Sequence, residues 1–426
     1  MSFFRRRSSA LLGTLLIATG VSTSCARERG PVPLVLEPIT SPTGADAAEP
    51  FVGRGPDGSM TLSWLERNAD SSVALRLALL AADGSTWSTP TDVVRRKDLF
   101  VNWADFPSVV PLGEGRLLAH WLQRSGGGRY AYDVHLSESR DGGTTWGAST
   151  FPHPSGVPAE HGFVTIVPTG NGGANVVLLD GTAGARLADS IRASTGKEPT
   201  EGHGGAMQLG FATWADGAVA TTRIIDPRVC DCCQTTSAMT SQGPIVVYRD
   251  RSSDEIRDMS VVRLVHGEWT APAPLHHDGW KIDYCPVNGP AMSAIGDTVV
   301  AVWFTGAQDT SRVNVVFSTD AGASFSAPVR ADGGLPTGRV DVELLSGNAA
   351  LVSWIERVGG DTAQVRARVV RRDGTVEPHL VVSPSSGARS SGFPRMARTK
   401  NGVLIAWTVP GKPSRVELAR VRTGTR

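Results

Sequence analysis

Residues 51 to 95 set the pattern for most of the chain. Apolar and polar positions alternate through FVGRG, MTLSWLE and VALRLALLAA, and a fourth extended run, STPTDVV, follows. A period of two sends successive side chains to opposite faces, so each run reads as a β-strand. Glycine, proline, asparagine and aspartate separate the runs, as hairpin turns require. No long stretch spaces its apolar residues at helical intervals, and the chain reads as all-β.

The unit recurs. A small or proline-containing start, an apolar strand, a glycine-bearing turn and a second apolar strand closing on a large side chain appear at Trp64, Trp121, Leu179, Tyr248, Trp303, Trp354 and Trp407. A period of about 50 to 60 residues with about four strands per unit predicts a β-propeller, in which each blade buries its faces against its neighbours. Seven blades are expected, with six as the alternative. The last unit ends after SRVELARVRT, its third strand, while VPLVLEPIT at residues 32–40 precedes the first unit as a spare strand. The spare strand is expected to complete the blade that holds Trp407, closing the ring and removing an exposed edge.

One sentence is written twice. SRDGGTTW (139–146) and STDAGASF (318–325) both fall between the third and fourth strands of their units, with shorter copies at ADGSTW (82–87) and RDGT (372–375). Asp141 and Asp320 are placed to accept turn N–H groups, Gly143 and Gly322 to supply positive φ, and Trp146 and Phe325 to pack back into the blade. The pattern S-x-D-x-G-x-[ST]-[WF] resembles the Asp box of sialidases and related bacterial neuraminidase repeats, and the resemblance spans nearly all of the chain after its leader. It implies a propeller and, at the axial face, a sialidase-type site. In that family three arginines hold the substrate carboxylate, a Tyr activated by Glu is the nucleophile, and an Asp is the acid/base. On this sequence the implied arginines come from Arg54, Arg249, Arg257, Arg339 and Arg395, with Asp105 as acid, Tyr284 as nucleophile and Glu343 completing the catalytic set. Arg339 opens the sixth unit in GRVDVE, and Asp341 two residues on is expected to point to the same side.

Arg5–Arg7, an apolar run from Ala10 to Val21 and the small residues Ser22–Ser24 before Cys25 form a signal peptide, residues 1–24, too short in its apolar part to span a bilayer. The stretch before Cys25 resembles a lipobox, which implies a lipid anchor on Cys25, a linker over 25–31 and one propeller domain over 32–426. Removing the leader turns 42 basic and 41 acidic residues into 39 and 41, a net charge of −2, which excludes nucleic acid as a partner. The expected protein is an exported, membrane-anchored monomer of the cell envelope with a glycan or protein partner.

Four cysteines follow Cys25. Cys230, Cys232 and Cys233 open the fourth unit in RVCDCCQTT and Cys285 opens the fifth in DYCPVNGP, so all four are expected to meet at one mouth. Two disulfides are the plainer reading in an oxidising compartment, with no cofactor. The alternative is a Cu(I) or Zn(II) site built from these thiolates with His161, His276 or His277 in reach. Three function classes therefore stand: a glycoside hydrolase for sialic acid or another acidic glycan, a noncatalytic glycan- or protein-binding propeller, and a cysteine-based metal or redox protein.

Overall fold

The computed structural model describes residues 1–2, 33–126, 128–197 and 206–423. Most of the expected leader, Cys25 and the linker lie outside the described residues. From residue 34 onward the described residues form seven antiparallel sheets. Their innermost strands are Ala47–Arg54, Ser108–Gly113, His161–Pro168, Thr236–Thr240, Ala291–Ile295, Leu335–Ser346 and Arg395–Thr399. Each contacts the innermost strand of the next blade, and the first contacts the last, so the seven close a ring around one axis. The chain is a seven-bladed β-propeller.

The ring is sealed by the spare strand. Leu34–Ile39 pairs antiparallel with Arg415–Thr423, from Leu34 opposite Thr423 to Ile39 opposite Leu418, and so forms the outer strand of the blade that holds Trp407. The second blade has three strands, and its fourth edge is reduced to a bridge between Leu136 and Thr150. Pro152 and Pro154 follow that bridge and lack the N–H a ladder needs.

Packing lies between blades as much as within them. Val300, Val302 and Phe317 of the fifth blade share a core with Val342, Val352 and Trp354 of the sixth. Trp64, Trp303 and Trp354 are fully buried, and each indole N–H finds a carboxylate: Glu66 at 3.0 Å, Asp278 at 2.6 Å and Glu356 at 2.7 Å. Apolar rings with one satisfied donor suit these positions.

Among the described residues one α-helix, Thr182–Thr195, is set into the all-β ring. It is inserted between the second and third strands of the third blade and lengthens the interval from Leu179 to Tyr248. Its apolar positions are few, Ala183, Leu187 and Ile191 at intervals of four among polar residues, and only Thr182 is buried. Gly196 ends it in the left-handed region at φ 66°.

The two repeated turns are built alike. Asp141 accepts Thr145 N–H at 2.9 Å and Thr145 Oγ1–H at 2.6 Å, and Asp320 accepts Ser324 N–H at 2.9 Å and Ser324 Oγ–H at 2.6 Å. Hydrogen bonds from these hydroxyls lower both carboxyls to about 2. Gly143 and Gly322 sit at φ 87° and 79°. Their flat side is pressed against the preceding blade: a Cβ on Gly143 would lie 2.5 Å from Leu77, and one on Gly322 2.1 Å from Ile245. Trp146 and Phe325 join the same inter-blade cores. These turns staple one blade to the next as well as closing their own hairpins.

Candidate functional site

Because every blade is antiparallel, the turns after the third strands share one face of the propeller with the ends of the inner strands. The loops that open each unit, and those between second and third strands, share the other. Arg54 ends the first inner strand and so belongs to the turn face, away from the face that carries Arg257, in the loop between the second and third strands of the fourth blade, and Tyr284, in the loop that opens the fifth.

The axis itself is narrow. A cavity of about 220 Å³ runs along it, lined by Arg54, Asp105, Glu343 and Arg395 among others. Ligand pockets span roughly 300–1,000 Å³, so this volume suits a few waters better than a sugar. Gln234 crosses the channel, donating Nε2–H to Ala104 O at 2.6 Å and accepting Gly289 N–H at 2.8 Å. Asp105 accepts Phe163 N–H at 2.7 Å and Tyr132 O–H at 2.9 Å, and burial lifts its carboxyl to about 7. The Tyr132 hydroxyl also reaches Glu160 at 3.2 Å, whose carboxyl burial raises to about 8. Glu343 accepts Ser293 Oγ–H at 3.0 Å and is raised to about 7 by burial and by Asp341.

The arginines are spread among separate tasks. Arg249, 2 % exposed, donates to the carbonyls of Asn288, Arg257 and Phe304 at 2.6–3.0 Å and lies over the Trp280 ring. Arg257 is bound to Glu255 at 2.9 Å and donates to Cys230 Sγ at 3.5 Å. Arg395 sits between the rings of Phe51 and Phe106, 3.5 Å from Asp341. Arg339 donates to Ala388 O at 2.9 Å and Gly387 O at 3.1 Å, 4.8 Å over Trp103. The backbone bulges between Gly338 and Asp341, with Arg339 at φ 56°, so the same-side alternation expected of Arg339 and Asp341 does not hold. Tyr284 is 72 % exposed and borders a surface depression with Cys285 and Trp280, apart from the axial lining.

The four described cysteines are free thiols. Cys230, Cys232 and Cys233 converge, and Cys285, though exposed, reaches Cys232 from the loop that opens the fifth blade. His161 does not join them. It is fully buried, stacked at 3.7 Å on His153, and engaged by Tyr132 O at 3.2 Å and Thr182 Oγ1 at 3.0 Å.

A roomier site lies on the unit-opening face between the first and last blades. This cleft of about 680 Å³ is lined by Trp103, Arg67, Arg389, Lys412, Asp46 and Glu49, with Pro410–Ser414 along one wall. Trp103 is half-buried and stacks on Phe393 at 5.7 Å, while Arg67, Arg389 and Lys412 are exposed. Asp46 accepts Ser414 Oγ–H at 3.1 Å, tying the first blade to the last. Glu49 occupies a bulge at φ 51°, immediately before Pro50, where few L-residues go. Its Oε2 is buried without a hydrogen-bond partner among the described residues. Burial raises its carboxyl to about 7, against the lowering pull of Arg67, and Asp46 adds to the rise. A carboxyl on strained backbone, raised toward neutrality by burial beside basic side chains, is the arrangement functional sites favour. Sequence reasoning missed it because its residues come from five separate segments. The pre-proline Glu of AEPFVG gave no sign of a left-handed backbone.

No protein-family model matches the chain, and no curated protein matches it. Solved structures do resemble it. A protein of unknown function from Dyadobacter fermentans is 17% identical, with 92% of this chain and 98% of that chain covered and a TM-score of 0.47. Trypanosoma rangeli sialidase in complex with sialic acid is 11% identical over 86% of this chain and 59% of that chain, TM-score 0.49. The endosialidase of phage phi92 is 10% identical over 92% and 70%, TM-score 0.49. In architecture, the chain is a seven-bladed β-propeller whose solved neighbours include sialidases.

Proposed function

We propose that the protein binds an acidic glycan in the cleft between the first and last blades. The observation that carries this reading is the gathering of three exposed cations, Arg67, Arg389 and Lys412, around the half-buried Trp103 in a volume of about 680 Å³. A guanidinium fork takes a carboxylate in two parallel hydrogen bonds, and the part of the indole that lines the cleft gives a sugar an apolar surface to pack against. Arg389, with its carbon centre 6.0 Å over the Trp103 ring, is exposed at the cleft and placed to take that carboxylate. Sialic acid and uronic acids are the ligands of this chemistry. The Cys25 anchor belongs to the same proposal and would hold the cleft at the cell envelope.

A second reading, hydrolysis, is favoured by Glu49 alone. A carboxyl that keeps its proton to about pH 7 serves as general acid, and Asp46 would be the second carboxylate a glycosidase needs. The arginines implied by the sialidase resemblance lie dispersed, so this acid would act in a site of its own. Calorimetric titration of purified protein with sialyl and uronyl oligosaccharides and neutral controls tests binding, with Trp103→Ala and Arg389→Ala beside the wild type. Assay of the same sugars for cleavage, with Glu49→Gln as control, tests hydrolysis. Saturable binding of acidic sugars lost in both cleft variants supports the first reading; equal affinity for neutral sugars removes it.

A further inference from the structure

Two clusters outside the cleft bring together groups that ligate metals: Asp133, His153 and His161, and the three cysteines of the fourth blade. The first is already spent on protein contacts. His153 Nε2 accepts Val134 N–H at 3.0 Å, its Nδ1 meets Pro154 O at 3.1 Å, and both nitrogens of His161 are engaged.

The cysteine loop is different. Cys230 N–H donates to Arg249 O at 3.0 Å, which fixes the start of the loop, and the turn through Asp231 folds the next two sulfurs back onto the first. Cys230 Sγ lies 3.1 Å from Cys233 Sγ and 4.0 Å from Cys232 Sγ, and all three sulfurs fall within 4.8 Å of one another. Three sulfurs bound to one metal at about 2.3 Å in a plane stand about 4 Å apart, so the trio needs only small adjustments to close on an ion. Arg257, 2 % exposed, aims NH1 at Cys230 Sγ from 3.5 Å. A buried guanidinium beside sulfur stabilises a thiolate and gains little from a neutral thiol or disulfide.

We propose that Cys230, Cys232 and Cys233 form a buried three-thiolate site for a single copper(I) ion. Sulfur-only ligation selects soft cations, and three-coordination suits copper(I), whereas zinc takes four ligands. A Cys230–Cys233 disulfide would consume two of the three sulfurs, strand Cys232 and leave the Arg257 contact without its anion. Exposed Cys285 reaches Cys232 but stands outside the three sulfurs that lie within 4.8 Å of one another, and the proposal leaves it out of the ligand set. The site is independent of the glycan reading.

The test is titration of the reduced full chain with copper(I) under anaerobic conditions against a chromogenic copper(I) chelator. One equivalent is expected to be retained, with sulfur-only coordination at about 2.3 Å by X-ray absorption. Cys230→Ser and Cys232→Ser are expected to weaken binding about a hundredfold or more, and Cys285→Ser to leave it within about threefold. Cys232 is the least buried of the trio, so its variant guards against loss by misfolding, and circular dichroism checks both. No copper(I) retained by folded reduced protein, displacement by equimolar zinc, or unchanged binding in both ligand variants would each overturn the proposal. So would protein isolated without reductant that carries a Cys230–Cys233 disulfide and, once reduced, binds no copper(I).

Discussion

Replacing Gly322 by alanine isolates the inter-blade staple. The backbone there is at φ 79°, which costs an L-residue about 1–2 kcal/mol. The new methyl would also lie 2.1 Å from Ile245 Cδ1, and Ile245 is fully buried in the core shared by the fourth and fifth blades. Overpacking of that kind adds about 1–3 kcal/mol, giving about 2–5 kcal/mol in all. The molecule carries its own control. Gly374, in the shorter copy RDGT of the sixth blade, has φ 89° but nothing within 4 Å of an added Cβ. Gly374→Ala therefore costs the backbone part alone. With an unfolding entropy of about 2 cal/mol/K per residue, Gly322→Ala lowers Tm by about 2–6 °C and Gly374→Ala by about 1–2 °C. Thermal melts followed by near-UV circular dichroism measure both. Equal shifts would refute the staple and reduce the repeated turn to a hairpin device.

Further outcomes follow from buried groups. Glu49 keeps a proton that the unfolded chain gives up above about pH 4.5, so its contribution to stability falls as pH rises toward 7. Glu49→Gln should accordingly match the wild type near pH 4.5 and exceed its Tm at pH 8, and a difference that does not change with pH counts against the buried acid. Arg249→Met leaves the carbonyls of Asn288, Arg257 and Phe304 without their donor and should cost several kcal/mol while sparing ligand affinity, as urea melts and calorimetry would show. Deleting residues 33–40 uncovers the edge of Arg415–Thr423 and should give aggregation on size-exclusion chromatography, whereas a monomer of unchanged Tm argues against strand closure.

The propeller was legible because its blades repeat a period-two pattern that closes on Trp64, Trp303 and Trp354, whose buried rings make each repeat recognisable. The strand at 34–39 could be placed because the last unit was one strand short. The helix at 182–195 was missed, since its short run of apolar residues at intervals of four, Ala183, Leu187 and Ile191, stands alone in a chain of alternating strands. The convergence of Cys230, Cys232 and Cys233 followed from their spacing, but the exposure of Cys285 depended on a loop whose course no spacing fixes. The arginines were hardest to read. Arg249 and Arg339 satisfy backbone carbonyls of neighbouring loops, and a one-residue bulge redirects Arg339 in a way that strict alternation cannot foresee.

The most direct test of the glycan cleft is calorimetric titration of the wild-type protein and of Arg389→Ala with a sialylated or uronic-acid oligosaccharide. Arg389 is exposed and its loss should not disturb the fold, so its effect reports on the ligand. The account predicts saturable binding that weakens about tenfold or more in the variant, and more steeply at low salt than at high salt. Absence of binding to every acidic sugar, or binding that Arg389→Ala and Trp103→Ala leave unchanged, would contradict it.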